Sequence, residues 1–366
     1  MDESIDLNAL RISVAEVLAH ECDHETVLRH GAGVGGPLVE LWEKVSELGW
    51  LSLCIPEAQG GLGLGIAALV PIYEELGRVV APLPFLVTTL TADCIVRSAS
   101  SEQKAAWLPR IVTGEIATLA APAPAETPSI TMRRDATEII LSGAATELID
   151  ADTAAMTLLL AHDESGNLHR VMIERGDGAR METSRLWDRG HNLSIVRLDD
   201  LRLPAERAFS VTSFAEEILR AHSALGLAAE AVGGAEGILD LTVEYLKTRE
   251  QFGKPIGSFQ ALKHRVADHR TQSMAARYLV EATADMLGRA DPDWLWEASA
   301  AKALACAAFA DIARDCIQLH GGIGFTAEQA CHLYLKRANL NALLFGDQAT
   351  HLAIASPDLC SSEPAQ

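Results

Sequence analysis

No two of the seven cysteines stand at C-x-x-C spacing; they lie singly at 22, 54, 94, 306, 316, 331 and 360. An odd and scattered set offers no disulfide framework and points to reduced thiols in a cytoplasm. No apolar run approaches the roughly 18 residues that a membrane span needs. The opening MDESIDLNALRISV is acidic where a secretory leader begins basic, so a cytoplasmic protein without a membrane partner is expected. Positive charge is short as well: 30 Lys and Arg face 50 Asp and Glu, a net charge of −20. That balance repels a phosphate backbone at long range and argues against general nucleic-acid binding. Internal repeats are absent, and 27 Gly and 14 Pro are spread thinly, which excludes collagen-like and low-complexity chains. With 49% apolar residues over 366 positions, the chain has material for two to three globular domains.

The pattern along the chain is helical, then β, then helical. Leu38, Leu41, Trp42 and Val45 open a helical first third, broken by the glycine-rich IPEAQGGLGLG (55–65) and by Pro82 and Pro84. APAPAETP (121–128) forms a Pro-rich hinge, after which EIILSG, AAMTLLLAH, HRVMIERG and SIVRLDDLRL predict strands. From about Val211 the period lengthens: Leu225, Val232, Leu239, Val243 and Leu246 form one stripe of a long helix, and Ala-rich helical stretches follow at about 258–288, 294–319 and 327–345. The fold class expected is mainly α with a central β domain: helical over 1–120, β over 121–210, and a helical bundle over 211–366. A β block between two α blocks, without βαβ alternation, disfavours a doubly wound sheet.

Two motifs carry little. GAGVGG, with Gly31, Gly33 and Gly36, satisfies G-x-G-x-x-G, yet the preceding VLAHECDHETVLRH is polar and helix-like, so an inter-helix loop is expected instead of a dinucleotide site. His20, Cys22, Asp23 and His24 lack the spacing of a metal site and predict a solvated helix end.

Two others carry more. Between Lys247 and Arg277 seven Lys or Arg stand against two acids, in the order TREQFGKPIGSFQALKHRVAD. A basic helix end, a Phe-Gly break, a Pro and a new helix make a corner that can offer Arg249 as a planar donor to a diphosphate, with the ring of Phe252 nearby. A solvated basic helix face is the plain alternative. In QLHGGIGF, Gly321, Gly322 and Gly324 end a long helix, where one glycine would suffice for a C-cap; bare backbone lets a phosphate or another chain segment approach.

These segments, together with LWEKVSELGWLSLCIPEAQGGLGLG, YEELGRVVAPLP, EQKAAWLPRIVTGE and LDDLRLPAERAF, resemble the acyl-CoA dehydrogenase family over nearly the whole chain. The resemblance implies an N-terminal helical domain, a middle β-barrel, a C-terminal four-helix bundle, and FAD at a subunit interface. It assigns Arg249, Gln251 and Phe252 to the diphosphate and adenine end of a neighbouring subunit's FAD. Ile256, Gln260, Gln318, Gly321 and Gly322 line the same clamp.

The resemblance also implies α-proton removal from an acyl-CoA thioester by a carboxylate, with the β-hydride passing to flavin. Here the two seats used for that glutamate in the family hold Gly346 and Ser223. Asp347, one residue on, is rotated by about 100° along a helix and is shorter, which makes it a weak candidate base; Glu230 is an outside possibility. AAPAPAETPSI and AATELIDADTA replace the family's flavin-ring loop and strand. A retained clamp with empty seats resembles the degenerate subunit of actinobacterial α2β2 acyl-CoA dehydrogenases acting on steroid side-chain thioesters. It implies a supporting role beside a catalytic acyl-CoA dehydrogenase subunit in a hetero-oligomer. The alternatives are a self-sufficient homo-oligomeric dehydrogenase using Asp347, and a CoA-ester binding protein without redox chemistry.

Overall fold

The computed structural model describes residues 6–32, 36–121, 129–135 and 137–356. Six helices come first: α1 (Leu7–Glu21), α2 (His24–Ala32), α3 (Val39–Glu47), α4 (Val70–Arg78), α5 (Phe85–Ser98) and α6 (Ser101–Val112). Local chemistry sets their ends. Asp6 accepts from the backbone N–H groups of Asn8 and Ala9 to start α1, and Ser100 with Gln103 forms a reciprocal capping box on α6. The hinge expected at 121–128 lies almost wholly outside the described residues.

Eight strands follow: β1 (Ala117–Leu119), β2 (Ile130–Arg134), β3 (Glu138–Ile149), β4 (Met156–His162), β5 (Leu168–Glu174), β6 (Arg180–Arg185), β7 (Asn192–Pro204) and β8 (Ala208–Ser210). They form one sheet in the order β6-β7-β3-β2-β4-β5-β8, with β1 parallel to β4. The expected β domain is therefore a sheet whose path has two ends, β6 and β8. The four strands predicted from alternation are β3, β4, β5 and β7. Strand β6, RMETSR, is exposed at every residue and lacks the apolar face that sequence patterning relies on.

The chain then runs through α7 (Ser213–Thr248), a small hairpin of β9 (Glu250–Gln251) and β10 (Lys254–Pro255), and helices α8 (Gln260–Gly288), α9 (Trp294–His320), α10 (Cys331–Leu343) and α11 (Gln348–Ala355). Two compact units result. One, drawn from Met1–Arg29, Val70–Ala81 and Ala224–Gln366, joins α1 and α4 to the C-terminal helices; the other, His30–Leu69 and Pro82–Ser223, holds α3, α5, α6 and the sheet.

In the sheet unit, Ile139, Leu141, Leu148, Leu159, Val171 and Val196 make the core. Arg170, in the middle of β5, is fully buried with its charge matched: Nε and Nη2 donate to the two carboxylate oxygens of Glu216 at 2.9 and 2.6 Å, and Nη1 donates to the Ala120 carbonyl at 2.8 Å. A bidentate pair with its third donor satisfied is the arrangement in which a buried charge is tolerated.

In the other unit, α4 and α7 cross backbone against backbone. A Cβ on Gly233 would stand 1.7 Å from the Glu74 carbonyl oxygen, and one on Gly237 2.1 Å from that of Arg78. Ion pairs surround the crossing. Arg277 meets Glu236 at 2.8 Å and Glu74 at 3.1 Å, Arg78 meets Glu236 and Asp240, and Arg11 meets Glu74 at 2.7 Å. Burial lifts the Glu74 carboxyl above its ordinary range, against the pull of Arg277 and Arg11. Gly233→Ala is expected to force the helices apart and destabilise the chain by about 1–3 kcal/mol or more, measured by denaturant unfolding; an unchanged midpoint would remove the contact from the account.

Candidate functional site

The break predicted after Thr248 is a two-residue hairpin turn. Gln251 pairs with Lys254 and Glu250 with Pro255, while the two turn residues carry positive φ, 56° for Phe252 and 77° for Gly253. Both central residues left-handed is the geometry of a type I′ turn, which glycine and asparagine favour and a bulky aromatic does not. Phe252 holds that conformation while 91% exposed. Its ring meets only the edge of Phe259, centroids 6.1 Å apart, and the Lys254 ammonium lies 4.4 Å from the Phe259 centroid. The Ile256 N–H donates to the Arg249 carbonyl at 2.8 Å, closing the corner.

The three glycines after α9 stand there for different reasons. Gly321 takes φ 63° and ψ −143°, a region closed to residues with a Cβ. A Cβ on Gly324 would lie 2.5 Å from the Ile317 carbonyl oxygen. Gly322 has neither reason: nothing lies within 4 Å of where its Cβ would be. Its bareness faces open space, beside exposed Ile323 and Phe325, the latter 75% exposed.

Tyr245 joins the two motifs. Its ring stacks on the buried His320 ring with centroids 4.5 Å apart, and its hydroxyl donates to the His320 carbonyl at 3.2 Å. One turn after Tyr245 comes Arg249, whose N–H donates to the Tyr245 carbonyl. His320 precedes Gly321 and has a pKa below the usual imidazole value because of its burial. Thus Arg249, Gln251, Phe252, Ile256 and Gln260 share the hairpin corner, Gln318, Gly321 and Gly322 share the end of α9, and the stacked pair ties the one end to the other. Tyr245 carries no motif of its own and was not singled out from the sequence.

The structure also sorts the basic stretch. Arg265 and His269 meet Asp315, Arg270 meets Asp240, Arg277 meets Glu236, and Lys247 meets Glu244. Among the described residues Arg249, Lys254 and Lys263, all three exposed, have no ion-pair partner. These three cations lie at or beside the corner, where exposed Glu250 is the one acid of the hairpin. That residue set fits an anionic ligand with a planar ring, as a flavin dinucleotide's diphosphate and adenine require.

The candidate bases are placed otherwise. Asp347 is the N-cap of α11: its carboxylate accepts from the Thr350 N–H at 2.9 Å and the Thr350 hydroxyl at 2.7 Å, and these bonds hold its pKa below the ordinary carboxylate value. Ser223 is buried and donates to the Arg220 carbonyl at 2.7 Å. Glu230 pairs at 2.6 Å with the buried Arg337, which also bonds the Ala81 carbonyl. Gly346 sits in a turn at φ 106°, and its carbonyl, with that of Leu344, receives the buried Lys302 ammonium, whose pKa burial lowers to about 8. No carboxylate stands free at any of these four positions.

Where the flavin-ring strand was expected, several polar groups bond one another, while one buried Asp152 oxygen has no partner among the described residues. Buried Asp150, at φ 55°, accepts from the His191 ring at 2.7 Å and from the Asn192 N–H at 2.9 Å, and Asp152 accepts from the Asn192 side chain at 2.9 Å. The companion segment at 122–128 lies outside the described residues. The solvated helix end expected around His20 holds for the exposed His20 and Asp23 but not for its neighbours: Cys22 is fully buried, and the His24 ring bonds the Tyr334 hydroxyl at 2.6 Å, because the turn between α1 and α2 packs on α10. Among the described residues no His, Cys, Asp and Glu cluster could hold a metal, and no helix is long and apolar enough to cross a membrane. Gly31 lies in α2 and follows helix, not strand; Gly33 is outside the described residues.

Residues 5–115 match the family profile of the acyl-CoA dehydrogenase N-terminal domain and residues 215–358 that of the C-terminal domain. Acyl-CoA dehydrogenase IpdE2 of Mycobacterium tuberculosis is 33% identical over 338 residues, 92% of this chain and 91% of that protein. Among solved structures, the ChsE4-ChsE5 complex from Mycobacterium tuberculosis matches at 26% identity and a TM-score of 0.89, covering 100% of both chains. The Tcur3481-Tcur3483 steroid ACAD matches at 26% identity and a TM-score of 0.86, covering 96% of this chain and 97% of that one.

Lys302 gives the site a test that needs no ligand. Lys302→Met removes the donor from two carbonyls, at a cost of about 1–3 kcal/mol for each group left buried and unsatisfied. The expected result is a lowered melting temperature with faster proteolysis within 344–347; a variant cleaved and melting like the parent would show that the ammonium does not hold this turn.

Proposed function

Since this chain belongs to the acyl-CoA dehydrogenase family of FAD-dependent oxidoreductases, we propose that it is a supporting subunit, completing the FAD site of a catalytic partner of the same fold. FAD, when bound, supplies the hydride acceptor for α,β-dehydrogenation of an acyl-CoA thioester. This chain's part is to hold the dinucleotide end. Arg249 gives the planar two-donor face that a diphosphate accepts, Lys254 and Lys263 add positive potential, and Phe252 offers a ring face to the adenine. Gln251, Ile256, Gln260 and Gln318 border the same surface, and Gly321 and Gly322 let the ligand approach the backbone.

One observation carries the proposal: charge is left unmatched at the corner while no carboxylate is left unmatched at the seats of the base. A general base needs a free carboxylate within hydrogen-bond reach of the carbon acid. Asp347 is committed to capping a helix, Glu230 to Arg337, and Gly346 and Ser223 have none to give. The Asp150, His191 and Asn192 bonds likewise occupy groups that a flavin ring would otherwise use. The pairing of two proteins in the ChsE4-ChsE5 and Tcur3481-Tcur3483 structures supports a heteromeric reading, and the second, a steroid ACAD, extends it to a steroid thioester as substrate class.

Two measurements test the reading. The chain purified alone is expected to hold far less than one FAD per subunit and to turn over no acyl-CoA; stoichiometric flavin with robust activity overturns the supporting role. In the complex, Arg249→Ala is expected to weaken FAD binding by about 10- to 100-fold, since each charge-assisted bond is worth about 1.5–3 kcal/mol. Asp347→Asn is expected to leave kcat unchanged within about a factor of two, far from the orders of magnitude lost with a true base.

A further inference from the structure

Three side chains at one end of the sheet stand in a relay that the clamp does not use. Strand β8 ends the sheet path beside β5, and Ser210 is the antiparallel partner of His169. The Val211 N–H donates to the Leu168 carbonyl at 3.1 Å, which makes 169 and 210 a non-hydrogen-bonded pair, the kind whose side chains stand closest. The Ser210 hydroxyl accordingly lies 3.3 Å from His169 Nδ1, and His169 Nε2 lies 3.2 Å from Asp163 Oδ2. Asp163 opens the turn between β4 and β5. Its Oδ1 accepts from the N–H groups of Ser165 and Asn167, both at 2.9 Å, and its Oδ2 accepts from the Asn167 side chain at 2.9 Å. The turn thus holds the carboxylate against the ring.

The partners fix where each proton sits. Bonds from Asn167, then from His169 and Ser165, hold the Asp163 carboxyl well below the usual carboxylate range, so it is ionised and can only accept. Nε2 must then carry the hydrogen, which leaves a lone pair on Nδ1 of the neutral ring. Into that lone pair the Ser210 hydroxyl donates. Hydroxyl, base and orienting carboxylate in this sequence are the parts of an activated serine. The ring is 8% exposed and held at both nitrogens, while Ser210 is open to solvent at the sheet's edge. Three residues on, at Ser213, the 36-residue α7 begins, so the positive end of a long helix follows the serine along the chain.

We propose that Ser210, His169 and Asp163 form a second reactive site, in which the serine takes the acyl group of small activated esters. Ser210 Oγ adds to the ester carbonyl carbon as its proton passes to His169 Nδ1. The bond from that carbon to the leaving oxygen then breaks, and the departing alcohol takes the proton from His169. Water repeats the exchange on the acyl-serine, releasing a carboxylic acid and restoring the hydroxyl. Ser210 is the nucleophile and His169 the base, while Asp163 is a positioning residue that acts through the ring. A serine exposed at a sheet edge suits a short acyl group on a good leaving group. The site lies within the sheet unit and uses no residue of the clamp, so either reading can fail without the other.

A fluorophosphonate, which an activated serine attacks at phosphorus with loss of fluoride, tests the site on the full chain. Peptide mass is expected to place the label on Ser210, and the same chain is expected to hydrolyse p-nitrophenyl acetate. Ser210→Ala removes both; His169→Gln slows labelling by about 100-fold or more, the range lost with a general base. Circular dichroism and melting show that each variant remains folded. The role of Asp163 is read from the His169 ring by nitrogen NMR. The proton is expected on Nε2 in the parent and on Nδ1 in Asp163→Asn, whose amide can donate to Nε2, and that variant is expected to leave Ser210 unlabelled. A parent without label at Ser210, a folded His169→Gln variant labelled at the parent rate, or a parent ring protonated on Nδ1 alone each overturns the proposal.

Discussion

The stacked pair of Tyr245 and His320 is the contact on which the candidate site depends. Alone, the hairpin at 250–255 is a four-residue ladder with a strained tip, and the glycine turn at 321–324 is backbone without side chains to hold it. Neither could present donors at a fixed spacing. Tyr245 supplies ring contact and a hydrogen bond at once, so the ends of α7 and α9 move as one piece. Preorganisation of this kind matters for a ligand as long as a dinucleotide, because each group ordered beforehand is an ordering cost that binding does not have to meet.

Charge distribution bears on the proposed supporting role more directly than shape does. The overall fold is that of the family, and a TM-score of 0.89 to a two-protein complex describes shape alone. Function turns on which charges remain uncommitted. One cluster inside the helical unit is matched: Glu74, Glu236 and Asp240 absorb Arg11, Arg78, Arg270 and Arg277. Those pairs hold α1, α4, α7 and α8 together, and breaking one would leave a buried charge uncompensated, which costs more than the pair is worth. They are unavailable for chemistry. Arg249, Lys254 and Lys263 take no part in that cluster and lie at the surface.

Much of this was legible in the sequence, for a physical reason. Helix and strand periods come from the solvent boundary, so the α7 stripe and the apolar strands β3, β4, β5 and β7 declared themselves. The glycines and the Phe-Gly break were also visible, since unusual backbone demands unusual residues. What stayed hidden depends on long-range pairing. The seven basic residues between 247 and 277 look alike in sequence, and only the fold brings Asp315, Asp240 and Glu236 to three of them. Strand β6 has no buried face to betray it, and Cys22 and His24 seemed solvated because the Tyr334 that covers them lies 310 residues from His24. Lys302 could have been noticed as a cation in the Ala-rich first half of α9, but nothing local names the carbonyls it serves.

The strain at Phe252 bears on the same question from another side. A bulky residue held at φ 56° costs free energy, and an aromatic ring left 91% in water gains none of the burial that would offset it. The turn could be relaxed by asparagine or glycine at that position with no loss of packing, since the ring touches only the edge of Phe259. A feature that is unfavourable in the isolated chain, on a segment whose charges are also unmatched, has its compensation outside the chain. The flat face of the ring and the guanidinium three residues before it are suited to a base and its phosphates. This surface is the part of the chain on which the proposed supporting role rests.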